Sequence, residues 1–122
     1  MTRLLTIDDE EEFTTLIRNY FVPRGYEVWA AGDGEEGLAL LREKNPDVCL
    51  IDMKMPGLHG DEVLREVLRE RPQVKCIMIT ASEGEGKMRE RLKTMGAYAC
   101  FDKPLTSLRD LEAKIREALS PS

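Results

Sequence analysis

The feature that most constrains this chain is a rhythm. Five short apolar runs, Leu4 to Ile7, Tyr26 to Ala31, Val48 to Ile51, Cys76 to Ile79 and Tyr98 to Phe101, recur along 122 residues with amphipathic segments between them. Each run has about the length of a buried strand. The intervening segments carry a helical stripe: Phe13, Leu16, Ile17, Tyr20 and Phe21 fall at i, i+3, i+4, i+7 and i+8. Val63, Leu64, Val67 and Leu68 repeat that stripe in a third helix, and Leu108, Leu111, Ile115 and Leu119 mark the last. Strand and helix repeated five times predicts an α/β fold, a five-stranded parallel sheet with helices on both faces, because crossovers are right-handed and each face needs cover.

The length fits a single domain over residues 1–122, with no linker, repeat or low-complexity segment. One helix departs from the others. Gly84 and Gly86 precede it and its apolar positions are only Met88, Leu92 and Met95, so burial holds it weakly and it is the element expected to shift.

Charge and cysteine usage narrow the function. A formal net charge of -5 offers no general attraction to phosphate backbones or anionic membranes, which argues against direct nucleic-acid or membrane partners. Cys49, Cys76 and Cys100 are odd in number, widely spaced and set among apolar residues, the pattern of buried thiols in a reducing compartment. Without CxxC or a Cys/His pair, zinc is disfavoured. No signal peptide or run of spanning length is present, and the expected location is cytoplasmic.

In an open parallel sheet, ligands collect beyond the carboxyl ends of the strands. The first run ends in Asp8 and Asp9, the third in Asp52, the fourth in Thr80, and the fifth in Asp102, Lys103 and Pro104. Singly, each has a plain structural explanation: Asp8 through Glu12 form an acidic helix start, Asp52 caps a loop, Thr80 ends a strand and Lys103 is a solvated charge. Jointly, they would converge on one rim from four strand ends distant in sequence. Clustered carboxylates repel, so the rim requires a cation, and hard oxygen ligands suit Mg²⁺ bound together with phosphate. An aspartate can accept a phosphoryl group, while an amine and a hydroxyl contact its oxygens.

Gly32 to Gly37 read GDGEEG, which satisfies the GxGxxG dinucleotide pattern, with Asp52 about twenty residues beyond. In a dinucleotide site those glycines follow the first strand; here they follow the second, and Asp33, Glu35 and Glu36 would repel a pyrophosphate. The stretch is read as a helix start in which Gly32 and Gly34 permit a tight turn and Gly37 permits close packing.

LLTIDDE, LIDMKMPGLHG around Asp52, IMITAS around Thr80, the Gly96–Ala97 pair and the DKP of Asp102 to Pro104 together closely resemble the receiver domain of bacterial two-component response regulators, over essentially the whole chain. The resemblance implies a flavodoxin-like (βα)5 fold with strand order 2-1-3-4-5. It implies Asp52 as phosphoacceptor, Asp9 as a direct Mg²⁺ ligand, Asp8 as a partner acting mainly through metal-bound water, and the main-chain carbonyl of Lys54 as a further ligand. Thr80 matches the switch hydroxyl, Lys103 the lysine that pairs with the phosphoryl group, Pro104 a proline after a cis bond, and Ala81 a small residue leaving room for the phosphoryl group. Lys54 and Ser82 match positions that tune dephosphorylation.

The implied activity is a phosphorylation-controlled signalling switch with intrinsic autophosphorylation and autodephosphorylation chemistry, not a metabolic enzyme. Its partners would be a sensor histidine kinase or histidine phosphotransfer protein and an effector domain or target protein, with a phosphorylation-dependent dimer as one form of output. The responding surface would be the fourth helix, fifth strand and fifth helix. The enzyme alternative, an aspartate-nucleophile phosphatase of the haloacid dehalogenase type, would need DxDx(T/V) at its first strand, whereas Asp52 is followed by Met53 and Lys54.

Two departures from the family pattern stand out, the milder at Lys54 and Ser82 and the greater at Cys100. The usual aromatic switch residue falls on Cys100, with Tyr98 and Phe101 out of register. Phe101 would face the opposite side of the strand, Tyr98 would share the side of Cys100 but lie farther from the site, and Cys100 is read as packing, with an altered switch or redox role as the alternative. His59, in the loop after Asp52, is read as surface variation and Trp29 as packing.

Overall fold

The computed structural model describes residues 1–81 and 85–121, and of Glu85 the backbone. Five strands alternate with five helices: β1 Arg3–Ile7, α1 Glu11–Phe21, β2 Glu27–Ala31, α2 Gly34–Lys44, β3 Val48–Asp52, α3 Gly60–Glu70, β4 Lys75–Ala81, α4 Glu85–Thr94, β5 Ala99–Lys103 and α5 Leu108–Leu119. All four strand pairings are parallel and the order is β2-β1-β3-β4-β5, as the family resemblance implied. The apolar runs mark the strands, but β3, β4 and β5 run on to include Asp52, Thr80 and Lys103. These side chains therefore sit on hydrogen-bonded backbone, whose freedom is already spent.

Strand alternation divides the core into two layers. Leu5, Ile7, Cys49, Ile51, Cys76 and Met78 face Leu38 and Leu41 of α2, Val63, Leu64 and Val67 of α3, and Leu92 of α4. Leu4, Val48, Leu50, Ile77, Ile79 and Ala99 face Phe13, Ile17 and Phe21 of α1 and Leu111 and Ile115 of α5. The edge strand β2 is only half buried, which leaves Trp29 partly covered, with the Lys44 ammonium 5.7 Å from its ring centroid.

Three expectations need correction. The α1 stripe is narrower than read: Phe13, Ile17 and Phe21 carry the burial, while Leu16 is 42% exposed on the flank. Gly32 and Gly34 serve no tight turn. Neither has positive φ, and α2 begins at Gly34, where an added Cβ would lie 2.7 Å from Val63 and 2.9 Å from Leu58. GDGEEG is a capped helix start in which the Asp33 carboxylate accepts from the Glu36 amide at 2.8 Å and Glu36 Oε1 accepts from the Gly32 amide at 2.6 Å. Gly37 does permit close packing, since a Cβ there would meet Ile7 at 2.5 Å. Finally, Gly86 lies inside the first turn of α4 and not before it, while Gly84 falls outside the described residues.

At the amino-terminal end of β2 a carboxylate ties several elements together. Glu112 of α5 is 4% exposed and accepts hydrogen bonds from Tyr20 of α1 at 3.1 Å, Arg24 Nε at 2.8 Å, Tyr26 at 3.1 Å and Arg116 at 3.2 Å. Burial alone would raise its pKa, but these donors outweigh it and hold the group below the usual range.

Candidate functional site

The residues singled out at the strand ends do converge. Asp8, at the end of β1, and Asp52, at the end of β3, are buried at 3% and 6% exposure, and Asp9 is exposed beside them. One carboxylate oxygen from each of the three lies within 4.8 Å of the others. Asp8 is no helix cap: its Oδ1 accepts from the Glu10 amide at 2.8 Å and its Oδ2 faces Lys103. Glu10 occupies the cap position of α1 without a side-chain bond to the helix, and Glu11 and Glu12 supply the acidic first turn.

Lys103 Nζ is 2.8 Å from Asp8 Oδ2 and 3.6 Å from Asp52 Oδ2, and it also pairs with Glu10. Its ammonium stands 4.9 Å from the centroid of the Phe13 ring. The bond from Lys103 to Pro104 is cis. Burial works against the lysine's charge, yet the hydrogen bonds to Asp8 and Glu10 and the charge of Asp52 outweigh it, so its pKa is raised.

A single lysine does not neutralise the cluster. Burial, followed by the charge of Asp8, pushes Asp52 up to about 6 against the attraction of Lys103. Burial also raises Asp8, despite its hydrogen bond to Lys103. Two buried carboxylates and a third beside them form an all-oxygen set whose excess negative charge a hard divalent cation would offset, so the residues fit Mg²⁺. Thr80 is 3% exposed, and its Oγ1 has no hydrogen-bond partner among the described residues. It is register-paired with Asp102, beside Lys103. Thr80 and Ala81 line a recess of about 410 Å³ with Met53, Lys54, His59, Asp61, Met88 and Arg91. Lys54 is exposed in the loop after Asp52, and Ser82 lies outside the described residues.

Close approach of α3 fixes the floor of the site. A Cβ at Gly60 would lie 2.4 Å from the Asp52 carbonyl oxygen and 2.6 Å from the Met53 Cα. His59 precedes it as the α3 cap, its amide donating to Glu62 at 3.0 Å.

At the departing position, Cys100 is half buried in the α2–α3–α4 layer and Phe101 packs in the other, as alternation requires. Burial raises the Cys100 thiol, consistent with packing. Tyr98 corrects the reading: it precedes β5, so strand alternation does not govern it, and it packs on the α5 side with its hydroxyl donating to Glu117. Against Cys100 stands a group that sequence reasoning missed. Arg89 of α4 donates to the Cys100 carbonyl at 2.8 Å and to Asp102 Oδ1 at 2.5 Å. Glu10 as a partner of Lys103 was missed as well. Both pairings join residues remote in sequence, and the acidic run supplied a sufficient local explanation for Glu10.

This fold with an acidic, lysine-braced rim defines a phosphate-handling α/β module, and comparison with known proteins makes the class specific. A model of the response regulator receiver domain matches residues 4–116, so the chain belongs to the receiver-domain family. Sporulation initiation phosphotransferase F of Bacillus subtilis is 32% identical over 114 residues, 92% of this chain and 91% of that protein. The transcriptional regulatory protein AfsQ1 of Streptomyces coelicolor is 35% identical over 98% of this chain, which spans 52% of its length. A receiver domain from Clostridium thermocellum superposes with a TM-score of 0.89 at 32% identity, covering 97% of this chain and 94% of that one. The response regulator TrrA of Thermotoga maritima, in a complex with Mg²⁺ and BeF, gives 0.85 at 28% identity, covering 98% and 100%.

The chain is therefore the receiver of a two-component signalling switch, and the phosphatase and dinucleotide readings find no support among these relatives. Receiver domains bind Mg²⁺ at an acidic pocket and interact with histidine kinases or phosphotransfer proteins. Among the described residues, no helix is long and apolar enough to cross a membrane.

Proposed function

We propose that Asp52 is the phosphoacceptor, and that its carboxylate oxygen attacks the phosphorus of a phosphohistidine on a sensor kinase or phosphotransfer protein. The new bond joins Asp52 Oδ to phosphorus, and the bond from phosphorus to the donor nitrogen breaks. The observation that carries this reading is the convergence of buried Asp52 and Asp8 with Asp9 and Lys103 on one rim.

Asp8, Asp9, Asp52 and the main-chain carbonyl of Lys54 would hold Mg²⁺, which when bound supplies positive charge against the phosphoryl oxygens. Lys103, already 3.6 Å from Asp52, contacts the same oxygens from β5. Thr80 Oγ1, buried without a partner among the described residues, gains an acceptor when the phosphoryl group arrives. Small Ala81 leaves the approach open. The domain, taken as residues 1–122, completes its own phosphorylation and hydrolysis. Its product is a conformation of the α4–β5–α5 surface, read in the cytoplasm by an effector domain or target protein or through dimerisation.

The test is incubation with acetyl phosphate, followed by intact-mass measurement. The expected result is a single Mg²⁺-dependent phosphoryl adduct that is absent in Asp52→Asn and slower to form in Lys103→Ala. An adduct that persists in Asp52→Asn would overturn the assignment. Turnover of small phosphate esters by the wild type would favour a phosphatase.

A further inference from the structure

The weakest-packed helix of the fold is held by two arginines. Among its described side chains, α4 buries only Leu92, with Met88 partly covered and Met95 partly covered just beyond the helix end. Arg89 and Arg91 are two residues apart, so they leave the helix on opposite flanks. Arg91 reaches Asp61 of α3 at 2.5 Å, while Arg89 spans the Cys100 carbonyl and the Asp102 carboxylate of β5. Loss of either tie, the Arg89 fork or the single Arg91 bond to Asp61, would leave α4 bridged by arginine on one flank only and freer to turn.

The position of the Arg89 acceptors decides what the clamp can sense. Asp102 directly precedes Lys103, whose ammonium faces Asp8, Glu10 and Asp52, and it is the register partner of Thr80. Both groups expected to move toward a new phosphoryl group are thus attached to, or paired with, the residue that Arg89 grips. The side chain at Cys100 is small and supplies no ring to transmit that movement. A rigid planar guanidinium with two charge-assisted bonds supplies the mechanical link instead.

We propose that Arg89 is the positioning residue through which the state of the Asp52 site reaches α4, its guanidinium being the coupling element between β5 and that helix. The proposal rests on the phosphoacceptor reading of Asp52. The bonds to Cys100 and Asp102 fix the rotation of α4 in the unphosphorylated domain, and displacement of the end of β5 re-aims them. Any partner that reads the α4–β5–α5 surface reads the setting of this fork.

Amide hydrogen exchange on the full chain tests it, with and without Mg²⁺ and beryllofluoride as the phosphoryl mimic. In the metal-free protein, Arg89→Ala is expected to speed exchange across α4 by about fivefold and leave α3 unchanged, because the fork contributes to local and not global stability. Asp102→Asn should weaken the same tie, and the double variant should add little to Arg89→Ala, as expected for one shared interaction. In wild type the mimic should alter α4 exchange; in Arg89→Ala that response should fall below half, while protection around Asp52 is retained.

Arg91→Ala is the discriminating control, since it loosens α4 from the α3 side and should keep most of the response. Wild-type α4 exchange in metal-free Arg89→Ala would overturn the clamp, as would a full mimic response in that variant. Should Arg89→Ala fail to fold, Arg89→Lys, which keeps the charge and loses the fork, and Asp102→Asn decide by the same readout. Protection at Asp52 without any α4 response in wild type overturns the proposal and spares the phosphoacceptor reading. No protection at either place overturns that reading, and the metal-free comparison still decides the clamp.

Discussion

Helices α3 and α4 cover the same face of the sheet on either side of the Asp52 rim, yet they are held by different physics. Helix α3 buries Gly60, Val63, Leu64 and Val67, and its start lies so close to the Asp52 backbone that no Cβ fits. Dispersion and apolar burial hold it, and such interactions do not change when a charge arrives nearby. Among its described side chains helix α4 buries one, and it depends on the Arg89 fork to β5 and on a single Arg91 bond to Asp61, whose strength follows the placement of charges. The difference teaches where a switch can be built. The α3 wall is apolar, and the α4 wall, proposed above to answer an added phosphoryl group, is held in large part electrostatically.

The largest test of this contrast is truncation of equivalent contacts. Leu64→Ala, fully buried in α3, should cost about 3 kcal/mol, whereas Met88→Ala, half covered in α4, should cost about 1 kcal/mol or less, both read by urea unfolding. Equal losses would remove the asymmetry. Gly60→Ala should cost about 2 kcal/mol, since the obstructing atoms are backbone of Asp52 and Met53 and cannot swing aside. The same variant should slow acetyl phosphate labelling, because any accommodation shifts the residue that carries Asp52.

A third test concerns the charge stored between the two walls. The folded-state pKa of Asp52 is raised to about 6, above its ordinary value, so the native protein binds the proton more tightly than the unfolded chain. Metal-free stability therefore falls as pH rises through that window, and the lost contribution is of order 2 kcal/mol by pH 7. Asp52→Asn removes it. The stability gain of that variant should grow from near zero at pH 4 to about 2 kcal/mol at pH 7, and saturating Mg²⁺ should shrink it. A gain that is constant across pH would show that Asp52 carries no such strain. The smallest effect is expected for Arg91→Ala, about 0.5 kcal/mol in global unfolding, as for most exposed pairs.

The fold was legible because burial on both sheet faces writes itself into contiguous runs such as Val48 to Ile51 and Cys76 to Ile79. The rim was legible because the residue ending each strand is fixed by the strand itself, so Asp8, Asp52, Thr80 and Lys103 had to meet once the sheet was parallel. What escaped was set by distance in sequence or by fine angle. Arg89 with Asp102, and Glu10 with Lys103, are long-range charge pairs in a chain with many equivalent charges, and no local pattern selects them. Leu16 fits a helical stripe and still faces solvent, because the stripe records spacing and not how far a neighbouring layer extends. Tyr98 was misplaced because alternation was carried one residue beyond the start of β5.

Glu112 gives the moving surface its frame of reference. Through Tyr20, Arg24 and Tyr26 it joins α5 to α1 and to the start of β2, so α5 is anchored at the end of the sheet remote from the phosphoacceptor. The surface proposed to meet a partner then has one wall moored, and in the proposed coupling the other wall is hinged. On the coupling proposed above, α4 would turn against a fixed bank, and the quantity to change would be the width of the channel between them. A partner docking there needs no sensitivity to phosphate at all; it functions as a gauge of that opening.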